Sequence, residues 1–167
     1  MQSRKIEQGA MTERLKLRFP FENSDGVGET ETMWVIKRED GYEIDNIPFY
    51  VTGLAAGDIV SAQPDTGGVL WYSELVRPGG HSTIQLWFSR QEDVEPVRAA
   101  LRQRGCASEV SDLPRLVAVD VPPDVPYEDI KAFLEQGERA GQFEYQEACL
   151  GFIEPRQEDQ EHRKDTP

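Results

Sequence analysis

The sequence contains few of the residues that cross-link or metallate small proteins. Its 167 residues include only two cysteines, Cys106 and Cys149, too few for a disulfide framework. We predict two free thiols, as in a protein of a reducing cytoplasm. A metal ion needs several convergent ligands. Because His81 is the only histidine between residues 13 and 153 and the cysteines are far apart in the chain, we expect no metal site.

Long apolar runs are also missing. No stretch approaches the roughly 20 apolar residues that span a bilayer. The start, MQSRKIEQGAM, is charged and has no apolar stretch behind it, so no secretory signal is expected. Regular patterning begins only at about Glu13, which makes Met11 a candidate start of translation. No glycine-rich nucleotide-binding motif is present, so no cofactor is predicted. These absences favour a cytoplasmic protein.

Basic residues are scarce relative to acidic ones. The chain has 18 Lys and Arg against 31 Asp and Glu, a net charge of −13. Residues 11–80 carry 12 acidic and 6 basic groups, and residues 81–153 carry 13 and 7, so both parts are acidic. Such a surface repels nucleic acid and anionic membranes and attracts basic partners. The alternative is that the charge only maintains solubility.

Short strands separated by turns dominate the chain up to residue 80. ERLKLRFPFE, ETMWVIKRE, DIVSAQ and VLWYSELV have strand patterns, and YEIDNIPFYV is expected to continue as a strand with a bend at Pro48. Turns recur about every 8–12 residues and no helix pattern is present. We predict a small antiparallel β barrel or strongly bent sheet over residues 13–80, called the first half below.

Residues 81–153, the second half, read differently. Strand patterns at HSTIQLWFS, CASEVSD, RLVAVDVP and QFEYQEACLGF alternate with two helix patterns near residues 92–104 and 126–139. The order β-α-β-β-α-β is that of a ferredoxin-like unit. The predicted fold class is therefore α+β. Residues 1–12 and 154–167 lack apolar periodicity and are predicted to be disordered.

Several motifs resemble an uncharacterised bacterial family, the domain of unknown function 4265. The resemblance rests on ETMWV, then DNIPF, then GD before an aliphatic pair, then GHST, in this order, and it extends through LVAVDVP and GQFEYQEA. It covers roughly residues 13–152. The resemblance implies a small bacterial cytoplasmic protein and no particular chemistry. Some small acidic proteins of bacteria are immunity partners of toxins, and we compare this chain with them only by size and charge.

The stretch from Asp45 to Gln63 also has a purely structural interpretation. Gly53 and Gly57 permit positive φ, Asp58 can accept backbone N–H groups across the turn, and Phe49 is expected to enter the barrel.

His81 is the leading candidate for chemistry. As a general base it could act with Thr83, which lies on the same side of a strand, but not easily with the adjacent Ser82. The structural alternative is that His81 hydrogen-bonds a turn carbonyl and braces the junction of the halves. Trp87 should pack against the first half beside Leu116 and Ala118.

The function we predict is a non-catalytic binding protein, such as an immunity-type inhibitor of a basic protein toxin. The alternatives are a small hydrolase or transferase that uses His81, and a small-molecule sensor with a pocket between the halves. The candidate partner-binding residues are acidic and lie on the two predicted helices: Glu92, Asp93, Glu95, Glu128, Asp129, Glu135 and Glu138.

Overall fold

The computed structural model describes residues 13–153. The segments predicted to be disordered, 1–12 and 154–167, lie outside the described residues. Among residues 13–153 no helix is long and apolar enough to cross a membrane. The fold of the described residues is α+β, as the sequence predicts, with two sheets and two α-helices.

The first half is built from five strands. They are β1 (Arg14–Glu22), β2 (Gly28–Arg38), β3 (Gly41–Ile44), β4 (Ile59–Pro64) and β5 (Leu70–Arg77). Neighbours along the chain pair antiparallel, and a short parallel pairing at Arg18 and Trp71 joins β1 to β5, so the strands form a closed ring. Alternating side chains point inward. The buried members of this core are Leu17, Phe19, Met33, Val35, Ile44, Val51, Leu54 and Val60.

The second half contains four strands and both helices. They are β6 (Ser82–Phe88), α1 (Val94–Gln103, after a 3-10 turn at Gln91–Asp93), β7 (Ala107–Val110), β8 (Leu116–Val121), α2 (Tyr127–Arg139) and β9 (Phe143–Cys149). The helices lie where the sequence pattern places them. The strands form an antiparallel sheet in the order β7-β8-β6-β9.

The core of the second half lies between one face of the sheet and the helices. Ile84, Leu86 and Phe88 of β6 meet the apolar stripes of both helices there. Because side chains alternate across a strand, Thr83, Gln85 and Trp87 belong to the opposite face. Part of that opposite face is covered by the first half.

The predicted extent of the third strand is wrong. The strand that begins at Gly41 ends at Ile44, and residues 45–58, called the bridging loop below, are irregular. Side chains take the hydrogen bonds that a continuing strand would have made. The Asn46 side chain accepts a hydrogen bond from the backbone N–H of Trp34 at 2.5 Å. Further along, Glu31 accepts the backbone N–H groups of Phe49, Tyr50 and Val51.

Candidate functional site

The bridging loop joins the two halves through two direct hydrogen bonds. The N–H of Gly53 donates to the carbonyl of Ala148 in β9 at 2.8 Å. The hydroxyl of Thr83 in β6 donates to the carbonyl of Leu54 at 3.1 Å. Thr83 is fully buried, and so is Ala55 next to Leu54. The loop therefore rests on the face of the second sheet that the helices leave free.

Glu31 holds the middle of the bridging loop. Its carboxylate accepts N–H groups from Phe49 at 2.7 Å, from Tyr50 at 3.1 Å and from Val51 at 2.9 Å. The side chain is buried, so these three bonds replace the water that a carboxylate needs. Phe49 is only half-buried, contrary to the expectation that it enters the core, and Val51 takes that place.

Asp58 accepts backbone N–H groups at the end of the bridging loop, as the sequence predicts for an aspartate in this turn. One carboxylate oxygen accepts the N–H of Ala55 at 2.9 Å, and the other accepts the N–H of Gly79 at 2.8 Å. Burial raises the pKa of Asp58, although both hydrogen bonds oppose the rise. Gly57 and Gly79 approach each other closely, since a Cβ on Gly79 would lie 2.6 Å from the Gly57 carbonyl oxygen. This junction is tightly packed.

His81 lies beside this junction and pairs with a carboxylate. Its Nδ1 is 2.9 Å and 3.0 Å from the two carboxylate oxygens of Asp120 in β8. Asp120 lies opposite Thr83 in the register of β6 and β8. Burial raises the pKa of Asp120, and His81 partly offsets this rise. The predicted turn carbonyl is therefore not the partner of His81.

His81 and Thr83 do not form a catalytic pair in this structure. The Thr83 hydroxyl is fully buried and donates to Leu54, while His81 turns to Asp120. Neighbouring Ser82 is also engaged, because its Oγ accepts the N–H of Gly151 at 2.9 Å. No hydroxyl of β6 is thus free to act as a nucleophile.

The cysteines are free, as predicted, and they are not activated. Cys106 is buried in the core of the second half, and Cys149 at the end of β9 is half-buried. Burial raises the pKa of each thiol to about 11. Since the thiolate is the nucleophile, neither cysteine has the properties of a reactive one. Among residues 13–153 no three His, Cys, Asp or Glu side chains converge as a metal site would require.

A cleft of about 350 Å³ opens between the halves next to His81. One wall comes from β3 and the bridging loop, and the other comes from β7 and β8. Its lining includes four carboxylates and a histidine but no lysine or arginine: Glu43, Asp45, Glu109, Asp120 and His81. Asn46 and apolar residues, Ile44 and Ile47 among them, complete the surface. The cleft is therefore acidic.

The carboxylates of the cleft are not equally compensated. Asp45 forms an ion pair with Arg14 at 3.0 Å, and Glu43 forms one with Arg38 at 2.5 Å. Glu109 has no ion pair within the described residues. Although Glu109 as a residue is exposed, partial loss of water around its carboxyl group raises its pKa, and the nearby Asp45 adds to the rise. Arg98 and Arg14 partly offset this rise without forming an ion pair with Glu109.

The acidic residues predicted to bind a partner lie on the surface of the helices. Glu92, Glu95, Glu128, Asp129, Glu135 and Glu138 are exposed, and Asp93 is half-buried. On the first helical segment, Glu92 pairs with Arg90, and Glu95 pairs with Arg98 at 2.7 Å. The four residues of α2 form no ion pair within the described chain. They face away from the cleft side of the sheet, because α2 packs on the other face.

The prediction for Trp87 is wrong. Its side chain is 41% exposed, and the guanidinium of Arg115 lies 5.5 Å from the ring centre. The bridging loop covers the sheet at Thr83, whereas Trp87 lies four residues further along β6, about 13 Å away at 3.3 Å per residue. The first half leaves the ring of Trp87 open to solvent. Its expected neighbours Leu116 and Ala118 are nevertheless buried.

Sequence reasoning missed Asp120 and Glu109. Asp120 carried a usable signal, because a lone aspartate inside the buried strand pattern LVAVDV needs a partner. Glu109 carried none, since an acidic residue on a short edge strand is unremarkable. Only the packing of β7 beside the bridging loop brings it to the cleft.

Comparisons with known proteins agree with this fold and leave its chemistry open. A family model described as Domain of unknown function (DUF4265) matches residues 31–145. A solved structure titled "Novel crystal structure of a hypothetical protein from Neisseria gonorrhoeae" is similar, with a TM-score of 0.74 and 24% identity over 84% of this chain and 98% of that one. At this identity the likeness shows the fold alone. No curated protein matches the chain.

Proposed function

We propose that this chain, which belongs to the family described as Domain of unknown function (DUF4265), is a non-catalytic binding protein that receives a cationic group of a basic partner in the cleft between its halves. The carrying observation is that four carboxylates and no lysine or arginine line this cleft. A lysine or arginine side chain is small enough for about 350 Å³ and would pair with Glu109. The hydrogen bonds of Glu31 and Asp58 hold the bridging loop, which forms one wall of the cleft. This supports the proposal, since a preformed site loses less entropy on binding.

The net charge extends the same proposal beyond the cleft. A field of −13 steers basic molecules toward the surface and speeds their association. An immunity-type inhibitor that covers the basic face of a toxin is a biological role of this kind. The four acidic residues of α2 would contribute to steering: Glu128, Asp129, Glu135 and Glu138. A cytoplasmic location fits such a partner and remains part of the proposal.

Hydrolysis or group transfer through His81 is the second candidate. It is favoured by one observation, that Asp120 contacts Nδ1 of His81 from 2.9 Å, which leaves Nε2 as the nitrogen available to a substrate. A carboxylate holds the general base of hydrolases in this way. With Ser82 and Thr83 engaged elsewhere, water would have to be the nucleophile. The cleft would equally serve a sensor of small cationic molecules, the third candidate.

We infer that the first half is a small β barrel and that the second half is a ferredoxin-like unit. The closed order of β1 to β5 supports the barrel, and the element order with the sheet order β7-β8-β6-β9 supports the ferredoxin-like unit.

The binding proposal is tested with N-acetyl-arginine amide as the probe in an NMR titration. We expect resonances of residues around Glu109 and His81 to shift in a saturable way. The variant Glu109→Gln should weaken binding about two- to fivefold, the range for one exposed ion pair. Glu144→Gln is the matched control, because it removes the same charge from an exposed position of β9.

Binding of the probe should also strengthen as the pH rises. The raised pKa of Glu109 means that its carboxylate is harder to form than usual, and the cation binds the carboxylate. Affinity should therefore increase as the pH passes upward through that pKa, and Glu109→Gln should remove this part of the dependence. Equal weakening by Glu144→Gln, or the absence of saturable shifts, would overturn the cleft as a cation site.

A further inference from the structure

The edge of β2 is only half used. This strand pairs with β1 along nearly its whole length, from Gly28 to Ile36. On its other side it pairs with β3 only between Val35 and Arg38. The stretch before Val35 therefore has one side without a neighbouring strand. The first half is closed as a ring but leaves this edge open near its end.

The register shows which backbone groups face the open side. The N–H of Lys37 donates to Glu13, so odd-numbered residues of β2 direct their backbone groups to the β1 side. Even-numbered residues direct theirs to the other side. Trp34 confirms this, because its N–H donates to Asn46 and its carbonyl accepts the N–H of Asp45. Thr30 and Thr32 are the next two, and their backbone groups have no partner within the described residues.

A groove of about 540 Å³ lies beside this edge. The threonines form one side with Glu29 and Glu31, and aromatic residues form the other: Phe21, Phe49 and Tyr50. The rings of Phe21 and Tyr50 are stacked, 5.4 Å apart and nearly parallel. Glu31 is committed to the bridging loop, which fixes the aromatic side in place.

We propose that the open edge of β2 binds an extended segment of a partner protein as an added strand, with a lysine or arginine of that segment beside Glu29. Backbone pairing with Thr30 and Thr32 supplies the main contacts, as in other cases of strand addition. The aromatic side supplies apolar contact and cation–π attraction for basic side chains. This site is separate from the cleft and does not rest on it.

The charge of the groove selects among occupants. Its lining carries Glu29 and Glu31 and no basic residue. A second copy of this chain would bring its own Glu29 to the same edge and a net charge of −13. Like charges facing each other across a strand pair are unfavourable. A basic segment meets no such penalty, so the partner is a different protein.

A displayed library of short random peptides tests the proposal on the intact chain. We expect selection to enrich extended sequences that contain lysine or arginine. Thr32→Pro removes the N–H that faces the open side and no hydrogen bond to β1. Because proline is tolerated at strand edges, we expect the variant to fold. It should lower the affinity of an enriched peptide about tenfold or more. Thr32→Ala keeps the N–H and should bind the peptide like the wild type.

Hydrogen exchange on the wild type gives an independent reading if Thr32→Pro fails to fold. An enriched peptide should slow exchange of the Thr30 and Thr32 amides, while the Met33 amide, already directed to β1, should stay unchanged. No enrichment, or equal binding to Thr32→Pro, would overturn the inference. So would peptides that lose affinity only with Glu109→Gln, although this result would support the cleft. Loss of cation binding in the cleft with retained edge binding would leave the inference standing.

Discussion

At the scale of single residues, Glu31 determines how the bridging loop lies. A buried carboxylate is costly unless its charge is fully hydrogen-bonded, and here three backbone N–H groups of the loop supply those bonds. The acidic residue of the ETMWV motif therefore binds the end of the DNIPF motif directly. Their distance of about twenty residues in sequence reflects a direct contact in space.

We predict that Glu31→Gln lowers the free energy of unfolding by about 2 kcal/mol, because the amide group would face a backbone N–H and leave it unsatisfied. Urea denaturation measures the change. Glu29→Gln is the control, since Glu29 lies on the same strand but is exposed, and it should change stability by less than about 0.5 kcal/mol. Equal effects of both variants would show that the loop does not depend on the carboxylate.

At the scale of elements, α2 and β9 are joined at a glycine. A Cβ on Gly137 would lie 2.2 Å from Cζ of Phe143, a ring that is buried and packs against Phe88 at 5.4 Å. Glycine in a helix ordinarily costs about 1 kcal/mol relative to alanine. At this position the close approach of helix and sheet outweighs helix propensity.

Gly137→Ala should accordingly destabilise the protein by about 1–3 kcal/mol, the range for an overpacked core, although alanine is the better helix former. Thermal unfolding followed by circular dichroism would measure it. Gln136→Ala, one position earlier and exposed, should be neutral or slightly stabilising. A stabilised Gly137→Ala protein would mean that the ring of Phe143 moves aside freely.

At the scale of the whole molecule, charge works against compactness. Both halves are acidic, and exposed ion pairs such as Arg14–Asp45 and Arg77–Asp40 contribute little each. The chain has 31 acidic and 18 basic residues, and the resulting net negative charge gives a repulsion that acts over the whole surface. We expect this repulsion to outweigh the few exposed pairs.

The unfolding midpoint should therefore rise when NaCl is increased from about 0.01 M to about 0.15 M, because the screening length shortens from about 30 Å to 8 Å. Thermal scans at constant pH would show the rise, and KCl should act like NaCl if screening is the cause. A midpoint that falls with salt would mean that attractive ion pairs dominate the surface.

Local pattern determined much of this protein. Two periods of side-chain alternation, about 2 in the strands and about 3.6 in the helices, placed α1, α2 and most strands. Gly53 and Gly57 have positive φ, and Asp58 accepts N–H groups across its turn, all as their sequence context predicts. Such features depend on neighbours along the chain, which the sequence contains directly.

Tertiary structure decided what local pattern could not. YEIDNIPFYV has the composition of a strand, yet the strand ends at Ile44. Further along, the distant Glu31 accepts the backbone N–H groups of residues 49–51 in place of a neighbouring strand. Trp87 is a large apolar residue of the kind that cores contain, yet its side chain stays exposed. His81 was visible as a candidate and Asp120 as a buried aspartate that needs a partner, but only the sheet pairs the two. The acidic cleft forms only where β7 and β8 meet the bridging loop. Pairing across long sequence separations depends on how whole faces pack, and no local pattern contains that information.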